Sequence, residues 1–254
     1  MDARPDSTIP SMTASTASSS CTIAHRQDAV VVEARRALDR PKQHRLGPRM
    51  LWSVRAWRDW FRKTSERIIA EHLAHNFASV APYIASGSKV LDIGTWDGLL
   101  GQALAERLDC RVLGVDVVDR HQDRIPFRIF DGRRLPVTDD ERFDVVLLLY
   151  VLHHAADDAT LLREARRVLA PGGCVIVGED RADGLAQRLR TIGFHVFLLV
   201  FQGMGWKGRF RGMRAWQARF AAASLRMEHV AHVGTQGGRR LFPDNLIYVL
   251  RAAA

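Results

Sequence analysis

Asp92, Gly94 and Gly98 lie in the run VLDIGTWDGLLGQAL, Val90 to Leu104, where an apolar stretch ends in an acid and turns through glycine into an apolar helix. The start of such a helix leaves backbone N–H groups unpaired, and glycine lets a ligand approach the main chain closely. Twenty-four residues beyond Asp92 a second apolar run, RVLGVD, ends in Asp116. An acid at that point accepts hydrogen bonds from the two hydroxyls of a ribose. The chemistry these residues suit is the holding of a nucleoside-containing cofactor at the carboxyl ends of parallel strands.

The glycine spacing narrows the cofactor. A nicotinamide fingerprint needs G-x-G-x-x-G, so that two phosphates can lie on bare backbone, and the position two after Gly94 is Trp96. Asp92-x-Gly94-x-x-x-Gly98 instead resembles the first motif of class I S-adenosylmethionine-dependent methyltransferases, normally D-x-G-x-G-x-G. Three further blocks follow in that family's order. IFDGRRLP (Ile129 to Pro136) is similar to its third motif, and FDVVLLLYVLHHAAD (Phe143 to Asp157) to the fourth strand and turn of the type 11, ubiquinone-biosynthesis-like branch. LLREARRVLAPGGCVIV (Leu161 to Val177) resembles that branch's next helix and fifth strand.

The resemblance implies S-adenosyl-L-methionine as cofactor, with Asp92, Gly94, Thr95, Trp96 and Gly98 around its methionine end. Asp116 would take the ribose, Val117 the adenine face, and Asp131 with Gly132 the adenine amino group, while Tyr150 would contact the cofactor. It also implies an α/β fold: a Rossmann-like doubly wound sheet of about seven strands, the last antiparallel, with N-terminal helices as a cap. Each residue alone has a plainer account. Asp92-x-Gly94 serves as a strand-to-helix turn, Asp116 as a helix N-cap and Val117 as a core valine. Trp96 departs from the motif by replacing its middle glycine, and its indole either points away from the cofactor or forms a pocket wall.

The implied reaction is methyl transfer to O, N or C of a small, partly apolar molecule, and much of the work is alignment of acceptor, methyl and sulfur. A general base is needed only if the acceptor loses a proton. His153 and His154 after the fourth strand are the candidate catalytic residues, with Glu179 or Asp180 after the fifth. A turn-stabilising imidazole is the plainer role for His153. RNA methylation is the alternative, favoured by a basic segment but not by the fourth-strand turn. That turn reads Leu149-Tyr150-Val151-Leu152 in place of an Asn/Asp-Pro-Pro-aromatic motif. A non-catalytic scaffold that keeps the fold is the second alternative.

The elements that position these residues follow from periodicity. Strands are expected at Lys89–Ile93, Arg111–Asp116, Phe127–Phe130, Phe143–Leu149 and Cys174–Gly178, then Arg226–Val233 and Asn245–Arg251. Helices are expected at Leu99–Leu108, Ala159–Leu169 and Arg214–Leu225. Pro171-Gly172-Gly173 reads as a helix stop before the fifth strand. The organisation is then a Ser/Thr-rich disordered tail over 1–28, a basic helical segment over 29–85 and a core over 86–254. Within the core, 182–213 reads as an acceptor-side lid, built on the apolar block Phe194–Phe201 and a basic glycine-rich loop. Between Arg35 and Arg67 lie 11 Lys or Arg against 3 Asp or Glu, a surplus of 8 in a chain whose formal charge is +9. Trp57, Trp60, Phe61, Thr64 and Ile68 share one helical face there.

Composition sets the outer bounds. At 47% hydrophobic and 26% charged residues the chain suits a soluble enzyme, and a cytoplasmic one is expected. Cys21, Cys110 and Cys174 are far apart and form no CxxC pair, so no metal site and no disulfide framework is expected. No apolar run reaches the roughly 18 residues of a spanning helix, though the apolar block followed by basic residues would suit surface association. The oligomeric state has no sequence signal.

Overall fold

The central strands of this chain are nearly continuous apolar runs because both faces of their sheet are covered there. Successive side chains of a strand point to opposite faces, and here both parities are buried. Leu91, Ile93, Val146, Leu148, Val175 and Val177 face one hydrophobic core, while Val90, Val112, Val145, Leu147 and Ile176 face the other. The computed structural model describes residues 67, 69–202, 208–235 and 243–253. The tail over 1–28, most of the basic segment over 29–85 and its aromatic face from Trp57 to Ile68 lie outside the described residues.

A helix α1 over residues 69–80 is followed by a 3₁₀ turn, Ala81–Tyr83. The core then alternates β1 (Lys89–Ile93), α2 (Leu99–Leu108), β2 (Arg111–Asp116), β3 (Phe127–Ile129), β4 (Phe143–Leu149), α3 (Asp158–Arg167) and β5 (Leu169–Asp180). It closes with α4 (Gly184–Gln202), α5 (Met213–Ala222), β6 (Leu225–Thr235) and β7 (Asp244–Ala252). The strands form one seven-stranded sheet in the order β3-β2-β1-β4-β5-β7-β6. β1 to β5 pair in parallel, and β7 runs antiparallel between β5 and β6. This is the expected doubly wound architecture with an antiparallel last strand. Because β1 pairs with β2 on one side and β4 on the other, a crevice opens at their carboxyl ends, the usual ligand position in such sheets.

The helices are placed by their apolar stripes. Leu161, Leu162 and Ala165 of α3 join the first core, together with Trp216 and Phe220 of α5. Phe77 and Val80 of α1 join the second, with Ala103 and Leu104 of α2. The Phe220 ring lies 5.3 Å from that of Tyr248 on β7, pinning α5 to the antiparallel end of the sheet. Each such fully buried side chain contributes about 1.5–3 kcal/mol.

Several boundaries differ from expectation. The helix α3 ends at Arg167 and β5 already begins at Leu169, so Pro171-Gly172-Gly173 lies inside the strand and is not its preceding stop. The cause is Phe143, whose N–H donates to the Val168 carbonyl at 2.9 Å and whose register partner is Leu169. A register shift between Phe143 and Val145 absorbs the extra residues. At Gly173 a side chain would put its Cβ 2.8 Å from the Asp144 carbonyl oxygen, so the strands close there only around glycine. Likewise α5 stops at Ala222, because Leu225 is buried as the first residue of β6.

Candidate functional site

The turn after β1 is built from three local devices. Asp92 is buried, and its Oδ2 accepts the Thr95 hydroxyl at 2.8 Å. The Gly94 N–H donates to the Val115 carbonyl at 2.8 Å, tying the turn to β2. Gly94 has φ 77° and would place a Cβ 2.3 Å from Val151 Cγ2, so only glycine fits between β1 and the turn after β4. The sequence singled out Thr95 for the cofactor, but its side chain turns inward, with its methyl group against Gly114. Burial is the main force raising Asp92 to about 6, Thr95 opposes it, and the charge of Asp116 adds to it.

Trp96 adopts φ 56°, the left-handed conformation that the missing glycine would take freely. Its N–H donates to Asp116 Oδ2 at 3.1 Å, and Val118 N–H donates to Oδ1 at 3.2 Å. The carboxylate of Asp116 is thereby fixed at the mouth of the crevice. The Trp96 ring is 46% exposed, and the Arg120 guanidinium lies over it at 4.1 Å. Trp96, Val117, Val118 and Ile129 make up half of the eight exposed large apolar side chains among the described residues. All four gather at the carboxyl ends of β1 to β3. Such a cluster beside a fixed acid is an exposed apolar patch, not ordinary scatter.

Asp131 is exposed and closes its own turn, Oδ1 accepting the N–H groups of Arg133 and Arg134 at 2.8 and 3.0 Å. Those bonds, Arg134 foremost, hold its carboxyl below the ordinary range. Gly132 follows with φ 78° and sits against Val117. Tyr150 is half-buried with φ 59°, and its N–H donates to the Gly178 carbonyl at 2.8 Å. Its ring lies 6.2 Å from that of His72 on α1, so this helix both packs on the sheet and reaches the crevice.

Beyond β4 the character changes from exposed to buried. His153 is 1% exposed, and its Nδ1 lies 2.7 Å from Glu179 Oε2, a carboxylate equally buried. Burial holds His153 below its ordinary range, against the charge of Asp180, and pushes Glu179 well above its own. Asp180 is raised to about 7, again by burial, although Asn245 donates to its Oδ1 at 2.7 Å. The His154 ring lies tilted against that of His153, 4.1 Å away. α4 adds His195, whose ring stands 5.2 Å from His153. The segment before α5 closes over the cluster: Arg209 N–H donates to the His153 carbonyl at 2.8 Å, and the Phe210 ring lies 4.4 Å from His195. Asp158, buried at the start of α3, anchors that segment by ion pairs with Arg211 and with Arg219, the latter at 3.1 Å.

The family description "Methyltransferase domain" matches residues 91–177, the span from β1 through β5 that carries every residue of the crevice from Asp92 to Tyr150. Residues 91–177 are similar to a methyltransferase domain. Over 171 residues the chain is 36% identical to the ubiquinone biosynthesis O-methyltransferase of Azorhizobium caulinodans, covering 63% of each chain. It is 31% identical over 148 residues to the 27-O-demethylrifamycin SV methyltransferase of Amycolatopsis mediterranei, covering 50% of this chain and 54% of the relative. The chain thus spans less than two thirds of the length of either relative. Its fold is similar to that of the CcbJ methyltransferase from Streptomyces caelestis, with TM-score 0.53 and 18% identity over 72% of this chain and 90% of the other.

Sequence reasoning placed Asp92, Gly94, Trp96, Gly98 and Asp116 around one crevice; in the structure Asp92, Gly94 and Trp96 share the end of β1 and its turn, and Trp96 N–H reaches Asp116. It missed His195, the Asp158–Arg211–Arg219 anchor and Arg120 over Trp96. The signal for His195 was available: it is the lone polar residue in the apolar block FHVFLLVF, and a polar group in such a setting needs a partner.

Proposed function

We propose that this chain is a class I S-adenosylmethionine-dependent methyltransferase acting on a hydroxyl oxygen of a small, partly apolar molecule. The observation that carries the reading is the apolar shelf of Trp96, Val117, Val118 and Ile129 beside the fixed carboxylate of Asp116, opening next to a buried histidine–carboxylate pair. The shelf and the acid fit an adenosine, whose base is flat and whose ribose offers two hydroxyls. When bound, the cofactor would supply a methyl group on an electrophilic sulfonium.

The chain's own residues then have separable tasks. Asp116 would hold the ribose, and Val117 with Ile129 would seat the base, with Asp131 and Gly132 at its edge. The turn of Gly94, Thr95, Trp96 and Gly98 would receive the methionine end against main chain, Thr95 through its backbone alone, with Tyr150 facing it from β4. His153 and His154 would activate the acceptor, because a neutral imidazole, as burial keeps His153, can draw a proton from a hydroxyl. Glu179 would position His153, and the segment over 182–213 with α1 would form the acceptor-side lid that excludes water. Transfer to oxygen is supported by the two relatives' names, each of which specifies an O-methylation or a demethylated oxygen. No helix among the described residues is long and apolar enough to cross a membrane, which accords with a cytoplasmic setting.

Labelled methyl groups from S-adenosylmethionine, offered to a panel of catechols and hydroxylated apolar compounds, test the proposal. Transfer to at least one acceptor is expected, with His153→Gln lowering kcat about 100-fold or more. Transfer to RNA but to no small acceptor would overturn the substrate class.

A further inference from the structure

One ring nitrogen from each of His153, His154 and His195 lies within 4.8 Å of the others. For two of these rings the opposite nitrogen is already fixed. His153 Nδ1 sits 2.7 Å from Glu179, and its Nε2 is buried with no hydrogen-bond partner among the described residues. His195 Nδ1 lies 2.9 Å from the Thr191 carbonyl, so it carries the proton and leaves Nε2 as a lone-pair donor. That Nε2 is 3.7 Å from Asp180 Oδ2. One nitrogen anchored on a carboxylate or carbonyl, with the other left for a ligand, is the outer-shell arrangement of metal-bound histidines. Phe210 supplies an apolar wall, its ring 5.2 Å from His153 and 4.4 Å from His195.

We propose that His153, His154 and His195 bind a divalent transition cation of the zinc class, with an open fourth position facing the acceptor. Imidazole ligands select zinc, cobalt or nickel over magnesium or calcium, which take oxygen. Metal–nitrogen bonds of about 2.0–2.1 Å set tetrahedral ligands roughly 3.3 Å apart, so the triangle closes by at most about 1.5 Å on binding. His154, the exposed member, has the freedom to make that adjustment. Three histidines with a vacant position is the ligand set of catalytic zinc sites. An acceptor hydroxyl entering that position would lose its proton to solvent before the lid closes and keep the bonding pair on the oxygen, now stabilised by the cation. The proposal rests on the acceptor-side reading of this pocket given above, and it gives His153 and His154 the role of metal ligands in place of direct proton acceptors.

The test uses the full chain, freed of metal and titrated with Co²⁺ while visible absorption is followed, with Zn²⁺ as competitor and S-adenosylhomocysteine calorimetry run in parallel. One cobalt per chain with the intense absorption of tetrahedral cobalt is expected, displaced by zinc. The signal disappears in His195→Ala and in His154→Ala, the second being an exposed change that spares the fold. Glu179→Gln weakens cobalt binding about 10–100-fold while keeping the spectrum. Absence of stoichiometric cobalt binding overturns the site, as does a spectrum that survives both alanine variants. Homocysteine-ligand binding without cobalt binding refutes only the metal site; cobalt binding without the ligand refutes the methyltransferase reading and leaves the metal site standing.

Discussion

The two sides of the crevice are built in opposite ways. The side formed by β1 to β3 relies mainly on local contacts, Thr95 on Asp92 and Asp131 on Arg133 and Arg134, with one bond reaching twenty residues from Trp96 N–H to Asp116. Its apolar side chains Trp96, Val117, Val118 and Ile129 stand exposed. The side formed by β4, β5 and α4 draws its groups from positions far apart in the chain and buries them: His153 against Glu179, His195 against Asp180, Arg211 against Asp158. A local site is specified by a contiguous motif, whereas a tertiary site depends on which segment folds over it.

If the two sides are independent, damage to one should leave the other intact. Asp158→Ala strands Arg211 without its buried partner, and the loss should be the largest, about 3 kcal/mol of unfolding free energy in urea titrations. S-adenosylhomocysteine affinity should be unchanged, since the anchor serves only the segment over His153. A parallel loss of affinity in folded protein would show that the acceptor side also shapes the cofactor side.

Asp92→Asn sharpens the contrast through pH. Burial raises the Asp92 carboxyl to about 6 in the folded chain, above the ordinary 3.8, so the native state binds more protons than the unfolded state between those values. The contribution of Asp92 to stability therefore falls as pH rises through that window. At pH 8 its ionised form costs on the order of 2–3 kcal/mol, which asparagine removes while still accepting the Thr95 hydroxyl. The variant should be the more stable protein at pH 8 in thermal or urea unfolding, and the difference should vanish near pH 4. A difference that does not vary with pH would place the carboxyl in water.

Trp96→Gly should have the smallest effect. It relieves about 1–2 kcal/mol of left-handed strain, but gives back about 1 kcal/mol in backbone entropy and about 0.5–1 kcal/mol from the Arg120 contact. Stability should change by less than about 1 kcal/mol. Cofactor affinity separates the two orientations considered for the indole: a pocket wall loses affinity on truncation, and a ring engaged with Arg120 alone does not.

What was legible in the sequence follows the same division. The glycine turn, Asp116 and the alternation of strands were readable because residues within a few positions of one another determine them. A sheet of about seven strands with an antiparallel last strand was implied by the resemblance of four blocks in sequence order, while the strand order itself emerges only from the structure. Less legible were the features decided by tertiary fit. Pro171-Gly172-Gly173 has the composition of a helix stop, yet pairing of Phe143 with Leu169 draws it into β5. Thr95 occupies a motif position, yet it packs inward because Gly114 leaves a space for its methyl group. His195 belongs to no motif with His153, and only the passage of α4 over the end of β4 brings the two rings together.

The central claim is that the crevice beside Asp116 holds an adenosyl cofactor, and calorimetric titration of the intact chain with S-adenosylhomocysteine tests it most directly. NAD serves as control ligand and Asp116→Ala as second protein. The account predicts saturable binding to the intact chain, no response to NAD, and affinity weakened about 100-fold or more in the variant, which lacks a charged hydrogen-bond acceptor worth about 1.5–3 kcal/mol per bond. No saturable binding by the folded intact chain, or equal binding by Asp116→Ala, would contradict it.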